Sequence, residues 1–306
     1  MNILITGGAG YLGTELIKKL SQNPEVNQIK IYDNLSRDNY ALFTGHKYHQ
    51  SENISFIHGE LLDSRKLKKA LKDVDVVYHL AANVTTPFAN TDPHFFEQVN
   101  HWGTAELVYA VEESNVKQFI YSSSIGVYGS SSKEINEDTT PNPRTFYAIS
   151  KFRGEEHVER LKSKMKTHII RCGNIYGYSR SMRFDSVINK FVFESNFNNR
   201  ITIHGDGKQA RAFIHIDHIT NTFDQLLNSE APSGTYNLVG HNMNILDIVD
   251  VMKEVNPGLE FIFINQHLKL RNILVNADLK LGKYINVDYD VSFHDQIKEF
   301  HQKFSF

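Results

Sequence analysis

The sequence has one cysteine, seven prolines and no apolar run approaching eighteen residues. A single cysteine, Cys172, cannot close an internal disulfide, so a reducing compartment fits. It lies in the run THIIRCGNIYG and reads as a buried small hydrophobe rather than a nucleophile. Without a long apolar run no transmembrane helix is expected. The opening MNILIT is too short for the apolar core of a signal peptide and runs straight into glycines, so the cytoplasm is expected. Charge of either sign is not in excess: 33 Lys and Arg against 35 Asp and Glu give −2, which offers no electrostatic case for nucleic acid or membrane as a partner.

What remains is ordinary for a globular protein, 41% hydrophobic and 22% charged. A chain of 306 residues holds two modest domains, or one large α/β domain with an appended lobe. Short apolar runs alternate with longer amphipathic ones: NILIT (2–6), IKIYD (29–33), ISFIHG (54–59), VDVVYHLAA (74–82), VKQFIYSSS (116–124) and THIIRCG (167–173) read as strands. Several lack polar alternation, as parallel strands covered on both faces do. The segments between them, from YLGTELIKKLSQ to the stretch 147–164, have helical spacing. Strand–helix alternation with short loops predicts an α/β fold with an open, doubly wound parallel sheet. After residue 174 the rhythm changes to helices near 184–196, 217–228, 244–254 and 292–303, with strand-like pieces between, as in a smaller α/β lobe.

The first strand ends in TGGAGYLG, with Gly7, Gly10 and Gly13 three apart. The tight turn needs positive φ, the second glycine lets backbone approach a pyrophosphate, and the third lets the helix pack closely on the strand. The helix amino terminus then offers free N–H groups to phosphate. Asp33, twenty residues beyond Gly13, closes the second strand, where a carboxylate accepts from ribose hydroxyls and repels a 2′-phosphate. NAD is therefore favoured over NADP, with Arg37 nearby as the opposing signal. Asp63 reads either as a contact to adenine or as a helix N-cap.

TFYAISK (145–151) places Tyr147 and Lys151 at i and i+4, side by side on a helix. With 14 Tyr and 33 Lys plus Arg, chance supplies roughly one or two such pairs, so the pair needs other residues to support it. They exist. TGGAGYLG, Asp33, HLAA (79–82), SSSIGVYG (122–129), the Tyr147–Lys151 pair and RCGNIYG (171–177) follow one another in the order found in the NAD-dependent sugar epimerase/dehydratase family, the extended short-chain dehydrogenases/reductases. ITIHGDGKQARAFIHIDHI (201–219) resembles that family's second-half signature. The resemblance implies a Rossmann domain for NAD over 1–173, with a return of the chain near 210–228, and a nucleotide-sugar-binding lobe over 174–306. It implies cofactor contacts from Tyr11 and Leu12 of the glycine turn, Asn34 beside Asp33, Leu80, Ala81 and Ala82 of HLAA, and Ser122. Asn100 would support the catalytic relay, and His79 and His101 would pack near the cofactor.

The same resemblance makes Ser124, Tyr147 and Lys151 an acid/base relay beside a hydride acceptor. A free tyrosine titrates near pKa ~10, so an adjacent ammonium and a cationic nicotinamide ring would be needed to favour phenolate. Family dehydratases carry an Asp-Glu pair directly after the active-site hydroxyl; here Ile125-Gly126 stands there, and the glutamate of decarboxylating relatives is missing too. The motifs most resemble UDP-galactose 4-epimerases and their relatives. The implied cycle has Tyr147 take the 4-hydroxyl proton as hydride leaves C4; the 4-keto sugar turns, and hydride returns to its other face. Asn174, Arg211 and Arg271 would grip the diphosphate, although Ala212 departs from the family's usual Asp. The alternatives are a reductase or dehydrogenase of a nucleotide-linked sugar and a non-catalytic dinucleotide-binding sensor. A homodimer is expected through helices 95–114 and 147–164. No metal is expected: His46 with His49, and His215 with His218, have helix-like spacing but no third ligand.

Overall fold

The structure, a computed structural model, describes residues 1–44, 53–84, 92–131, 133–266, 272–276, 278–287 and 291–304. The six apolar runs of the first half form strands β1 (Asn2–Thr6), β2 (Gln28–Asp33), β3 (Ile54–His58), β4 (Val76–His79), β5 (Gln118–Ser124) and β6 (Lys166–Cys172). Later come β7 (Asn174–Tyr176), β8 (Arg200–His204), β9 (Ala210–His215), β10 (Gly234–Leu238), β11 (His241–Asn244) and β12 (Glu260–Ile264). One seven-stranded sheet has the order β3-β2-β1-β4-β5-β6-β10. Every pairing in it is parallel, with β1 in register against both β2 (Ile3 opposite Ile29) and β4 (Ile3 opposite Val76). The strand order reverses between β1 and β4, which opens a crevice at the carboxyl ends of those strands.

Helices α1 (Tyr11–Leu20), α2 (Ser64–Ala70), α3 (Pro93–Phe96), α4 (Gly103–Glu112) and α5 (Phe146–Glu159) connect the first-half strands. Their starts are fixed by side chains: Asp63 accepts from the Lys66 N–H and Thr145 from that of Ala148. Between α3 and α4 the chain runs through a π-helical stretch, Glu97–Trp102. Helices α6 (Val187–Asn198), α7 (Ile216–Leu226), α8 (Ile245–Val255) and α9 (Phe293–Gln302) complete the molecule.

Two bodies share the chain. Buried Val, Ile and Leu of β1, β2 and β4–β6 pack with the apolar faces of the helices on each side of the sheet. A second core, including Tyr176, Phe191, Ile203, Ile248 and Phe293, joins β7, β8 and β9 to α6, α8 and α9. The return of the chain to the first body extends past 228: α7 packs on α1, Tyr78 donates to the Phe223 carbonyl at 2.7 Å, and β10 pairs with β6. The stretch from Ile216 to Leu238 thus lies with the sheet. Two short strands escape the sequence reading. β7 is three residues long and β11 four, below the length at which a period shows; both are held by pairing with β9.

The helix after the glycine turn packs without clearance. A Cβ on Gly13 would lie 2.5 Å from the Gly7 carbonyl oxygen and 2.6 Å from the Gly8 Cα, and backbone cannot yield as a side chain can. Gly13→Ala is therefore expected to lower stability by about 1–3 kcal/mol, read as a lower denaturation midpoint at unchanged slope.

Candidate active site

A cavity of about 790 Å³ lies along the carboxyl edge of the sheet, between the two bodies. Its floor is the glycine turn. Gly7 has φ +72°, and a Cβ there would meet the Ala81 nitrogen at 2.5 Å, so the exits of β1 and β4 touch backbone to backbone. Gly10 is the N-cap of α1, with no side-chain cap and no acid in the first turn, and Tyr11, Leu12 and Gly13 line the cavity beside it. An uncapped, glycine-lined helix start of this kind fits a diphosphate.

Asp33 Oδ2 accepts from the Ala9 N–H at 3.0 Å and Oδ1 from the Leu35 N–H at 2.8 Å, tying β2 to the turn. Burial raises its pKa, and those N–H groups oppose the shift. Asn34, also in the wall, donates to both oxygens of Glu60 at 3.1 and 3.0 Å. Glu60 lines the cavity and Asp63 does not: the carboxylate of Asp63 caps α2 at 3.0 Å from the Lys66 nitrogen. Glu60 lies two residues past the end of β3, on the edge where Asp33 closes β2. That register was the signal available for it.

The wall continues through Leu80, Ala81, Ala82 and Asn83. Asn100 is fully buried behind it. Its Oδ1 accepts from the Asn83 N–H at 2.7 Å, and its Nδ2 donates to the Asn83 carbonyl at 2.9 Å and to Ser150 Oγ at 3.0 Å. Asn100 therefore positions the wall rather than lining it. His79 and His101 do not line the cavity either. His79 is buried between Thr6 (2.7 Å) and Thr104 (2.8 Å), and His101 pairs with Glu97 and stacks on His157 at the outer face of α5.

At the far end, strand alternation sorts the three serines. All three border the cavity; Ser122 and Ser124 are half-buried, while buried Ser123 donates to Glu155 of α5 at 2.5 Å. Ser124 accepts from the Gly126 N–H at 3.1 Å, and its hydroxyl acts to lower the pKa of the Tyr147 phenol. Tyr147 and Lys151 both line the cavity, one helical turn apart. The charge relation expected between them is different in the structure. The Lys151 ammonium turns to the ring of Tyr121, 4.1 Å from its centroid, and burial brings its pKa down to about 7, with Glu155 opposing. Burial raises the Tyr147 pKa, opposed first by Arg183 and then by Ser124. Burial thus shifts the two groups in opposite directions, and on the phenol Arg183 is the first influence that opposes it.

Arg183 lines the cavity opposite Tyr147 and was not singled out in the sequence. It pairs with Asp185 at 2.7 and 3.4 Å. Its loop is pinned where Asn189 donates to the Arg183 carbonyl at 3.1 Å and accepts from the Gly177 N–H at 3.1 Å. Gly177 in turn accepts from the Tyr11 hydroxyl at 2.6 Å, so the α1 start and the second body are joined across the crevice. Asn174, donating to the Ala212 carbonyl at 3.0 Å, and Arg211 line the same side. Arg271, His46 and His49 lie outside the described residues. Cys172 is buried, its thiol 3.8 Å from Ser122 Oγ, and burial pushes it up to about 12.

The sequence matches the family described as NAD dependent epimerase/dehydratase over residues 3–239. The chain belongs to that family. Human dTDP-D-glucose 4,6-dehydratase is 32% identical over 270 residues, 84% of this chain and 76% of that protein. A putative UDP-glucose 4-epimerase of Methanocaldococcus jannaschii is 29% identical over 233 residues, 74% and 73% of the two chains. Among solved structures, UDP-glucuronic acid 4-epimerase from Bacillus cereus, in complex with UDP-glucuronic acid and NAD, superposes with a TM-score of 0.86 at 25% identity, covering 99% and 98% of the chains. UDP-N-acetylglucosamine 4-epimerase from Methanobrevibacter ruminantium gives 0.83 at 25%, covering 98% and 97%. This member of the NAD-dependent epimerase/dehydratase family has NAD as its cofactor, for which the uncapped α1 start and the Asp33 carboxylate are fitted. Among the described residues, no helix is long and apolar enough to cross a membrane.

Asn100→Ala strips both backbone partners from Asn83. It is expected to cost about 1–3 kcal/mol of stability and to weaken NAD binding measured by calorimetry, although Asn100 does not line the cavity.

Proposed function

We propose that the protein is an NAD-dependent nucleotide-sugar epimerase that inverts C4 of a UDP-hexose. The observation that carries this reading is the state of the cavity's carboxylates. Among the described lining residues these are Asp33, Glu60 and Asp185. Asp33 is held by two N–H groups, Glu60 by Asn34 and Asp185 by Arg183. After Ser124 come buried Ile125 and Gly126. Loss of water from C6 requires a further acid and base next to the sugar, and no uncommitted carboxylate is available for it; inversion at C4 requires none.

Bound NAD supplies the hydride acceptor and donor that a transient 4-keto sugar demands. The protein's own task is the proton. Tyr147 takes it from the 4-hydroxyl and returns it, Ser124 orients that oxygen, and Arg183 stabilises the phenolate. Arg211 and Asn174 face the cavity from the second body, suited to a diphosphate, so the nucleotide is gripped while the sugar is free to turn. The 4-epimerases among the superposed structures support this reading. We also assign a homodimer to the α4–α5 face, where Trp102 is 54% exposed and Tyr109 38%.

Two measurements test the reaction. Purified protein is expected to interconvert UDP-hexoses without added cofactor, product stereochemistry being read by NMR; a stoichiometric absorbance change at about 340 nm would instead mean net redox turnover. Tyr147→Phe is expected to bind NAD normally and to lose turnover by about two orders of magnitude or more; undiminished turnover removes Tyr147 from the mechanism.

A further inference from the structure

Lys151 is 2% exposed, and among the described residues no carboxylate pairs with its ammonium. The groups facing it are Tyr121 of β5, His79 of β4, Cys172 of β6, and Tyr147 and Glu155 of its own helix. Glu155 stands one turn beyond it at i+4, where a lysine and a glutamate ordinarily pair. Here they do not. Arg171 takes the Glu155 carboxylate in a fork, Nε to Oε1 at 3.0 Å and Nη2 to Oε2 at 2.6 Å, and Ser123 donates to Oε1 at 2.5 Å. Arg171 is fixed from its other side by the Tyr128 hydroxyl at 2.9 Å, which donates on to Asn237 at 2.9 Å. Both members of the pair are buried, at 3% and 6% exposure, and neither reaches the cavity.

We infer that the Glu155–Arg171 pair is a positioning device that sets the charge of Lys151, keeping its ammonium available to the cavity instead of locked in a buried ion pair. The inference rests on the proposed function only in taking the cavity that Lys151 lines as the active site. Two physical alternatives bracket the observed state. A Glu155 released by Arg171 would capture the lysine one turn away, pinning its charge and drawing its head out of the cavity. A neutral residue at 155 would leave burial unopposed, and the lysine would lose its proton at lower pH. The clamp holds the system between them: Glu155 stays near, but both of its oxygens are engaged, Oε1 by Arg171 and Ser123 and Oε2 by Arg171. Burial and Glu155 are the first two influences on Lys151, in that order and with opposite signs. The same clamp grips Ser123, so the strand end that carries Ser122 and Ser124 is fixed by it as well.

The test reads Lys151 itself. Competitive acetylation of the full chain with acetic anhydride across pH, analysed by peptide mass spectrometry, gives the titration midpoint of that amine without substrate or turnover. Glu155→Gln is expected to lower the midpoint by at least about one pH unit, a tenfold fall in the ammonium-to-amine ratio at a given pH. Arg171→Met is expected to raise it by a similar amount. A merely structural pair would not move the midpoint in opposite directions. If either single variant fails to fold, the double variant Glu155→Gln with Arg171→Met replaces the buried pair by neutral groups of similar size, and its midpoint is expected below that of the unmodified protein. Midpoints that stay within about 0.3 pH units of it, or single variants that shift the same way, overturn the inference. Failure to epimerise UDP-hexoses with these shifts intact would overturn the proposed reaction and leave this inference standing.

Discussion

The backbone crossing of Gly7 and Ala81 is the constraint on which the rest of the site depends. A Cβ at residue 7 would sit 2.5 Å from the Ala81 nitrogen, so β1 and β4 can exit the sheet side by side only if that position is glycine. Once they do, the amino terminus of α1 is aimed into the crevice and residues 80–83 become its wall. Hydrogen bonds then make the floor one piece. Asp33 ties β2 to Ala9 in the turn, Asn100 ties Asn83 to Ser150 of α5, and Tyr11 ties α1 to Gly177 of the second body. The dinucleotide half and the acid–base half are therefore set relative to each other by the Gly7–Ala81 backbone contact and by hydrogen bonds from side chains to backbone.

Charge in the acid–base half is divided between a cation that titrates and one that does not. Lys151, with its pKa brought to about 7 by burial against the opposition of Glu155, is charged or neutral according to its surroundings. On the Tyr147 phenol, whose pKa burial raises, the Arg183 guanidinium is the first influence in the opposite direction. The positive ring of oxidised NAD adds to it when bound.

Much of this architecture was legible in the sequence because it is written in local periods. Apolar runs without alternation gave the parallel strands, glycines at three-residue spacing gave the turn, and the fourfold step from Tyr147 to Lys151 gave a shared helix face. The parts that escaped are set by tertiary register. Asp63 and Glu60 are three residues apart, and which one faces the cavity depends on where β3 ends and α2 is capped. Asn100 lies in a helix whose π-helical stretch no periodicity announces. Arg183 sits in a loop between β7 and α6 that is held by tertiary contacts such as those of Asn189 with the Arg183 carbonyl and the Gly177 N–H. The i,i+4 rule failed for Lys151 and Glu155 because Arg171, on a neighbouring strand, competes for the carboxylate with a bidentate geometry that lysine lacks.

The proposed preference for inversion over elimination turns on the residues after Ser124. Ile125, on the 3-10 turn Ile125–Tyr128, is 3% exposed; it borders the cavity and packs in the main core with Val127 and Tyr128. An aspartate there would have to be buried among apolar side chains, where a carboxylate is costly unless paired. Gly126 faces the cavity, but a Cβ on it would stand 3.2 Å from Ser124 Oγ, pressing on the hydroxyl that acts on the Tyr147 phenol. As it stands, this turn sets a hydroxyl and no carboxylate beside the phenol, which supports the proposed inversion over elimination.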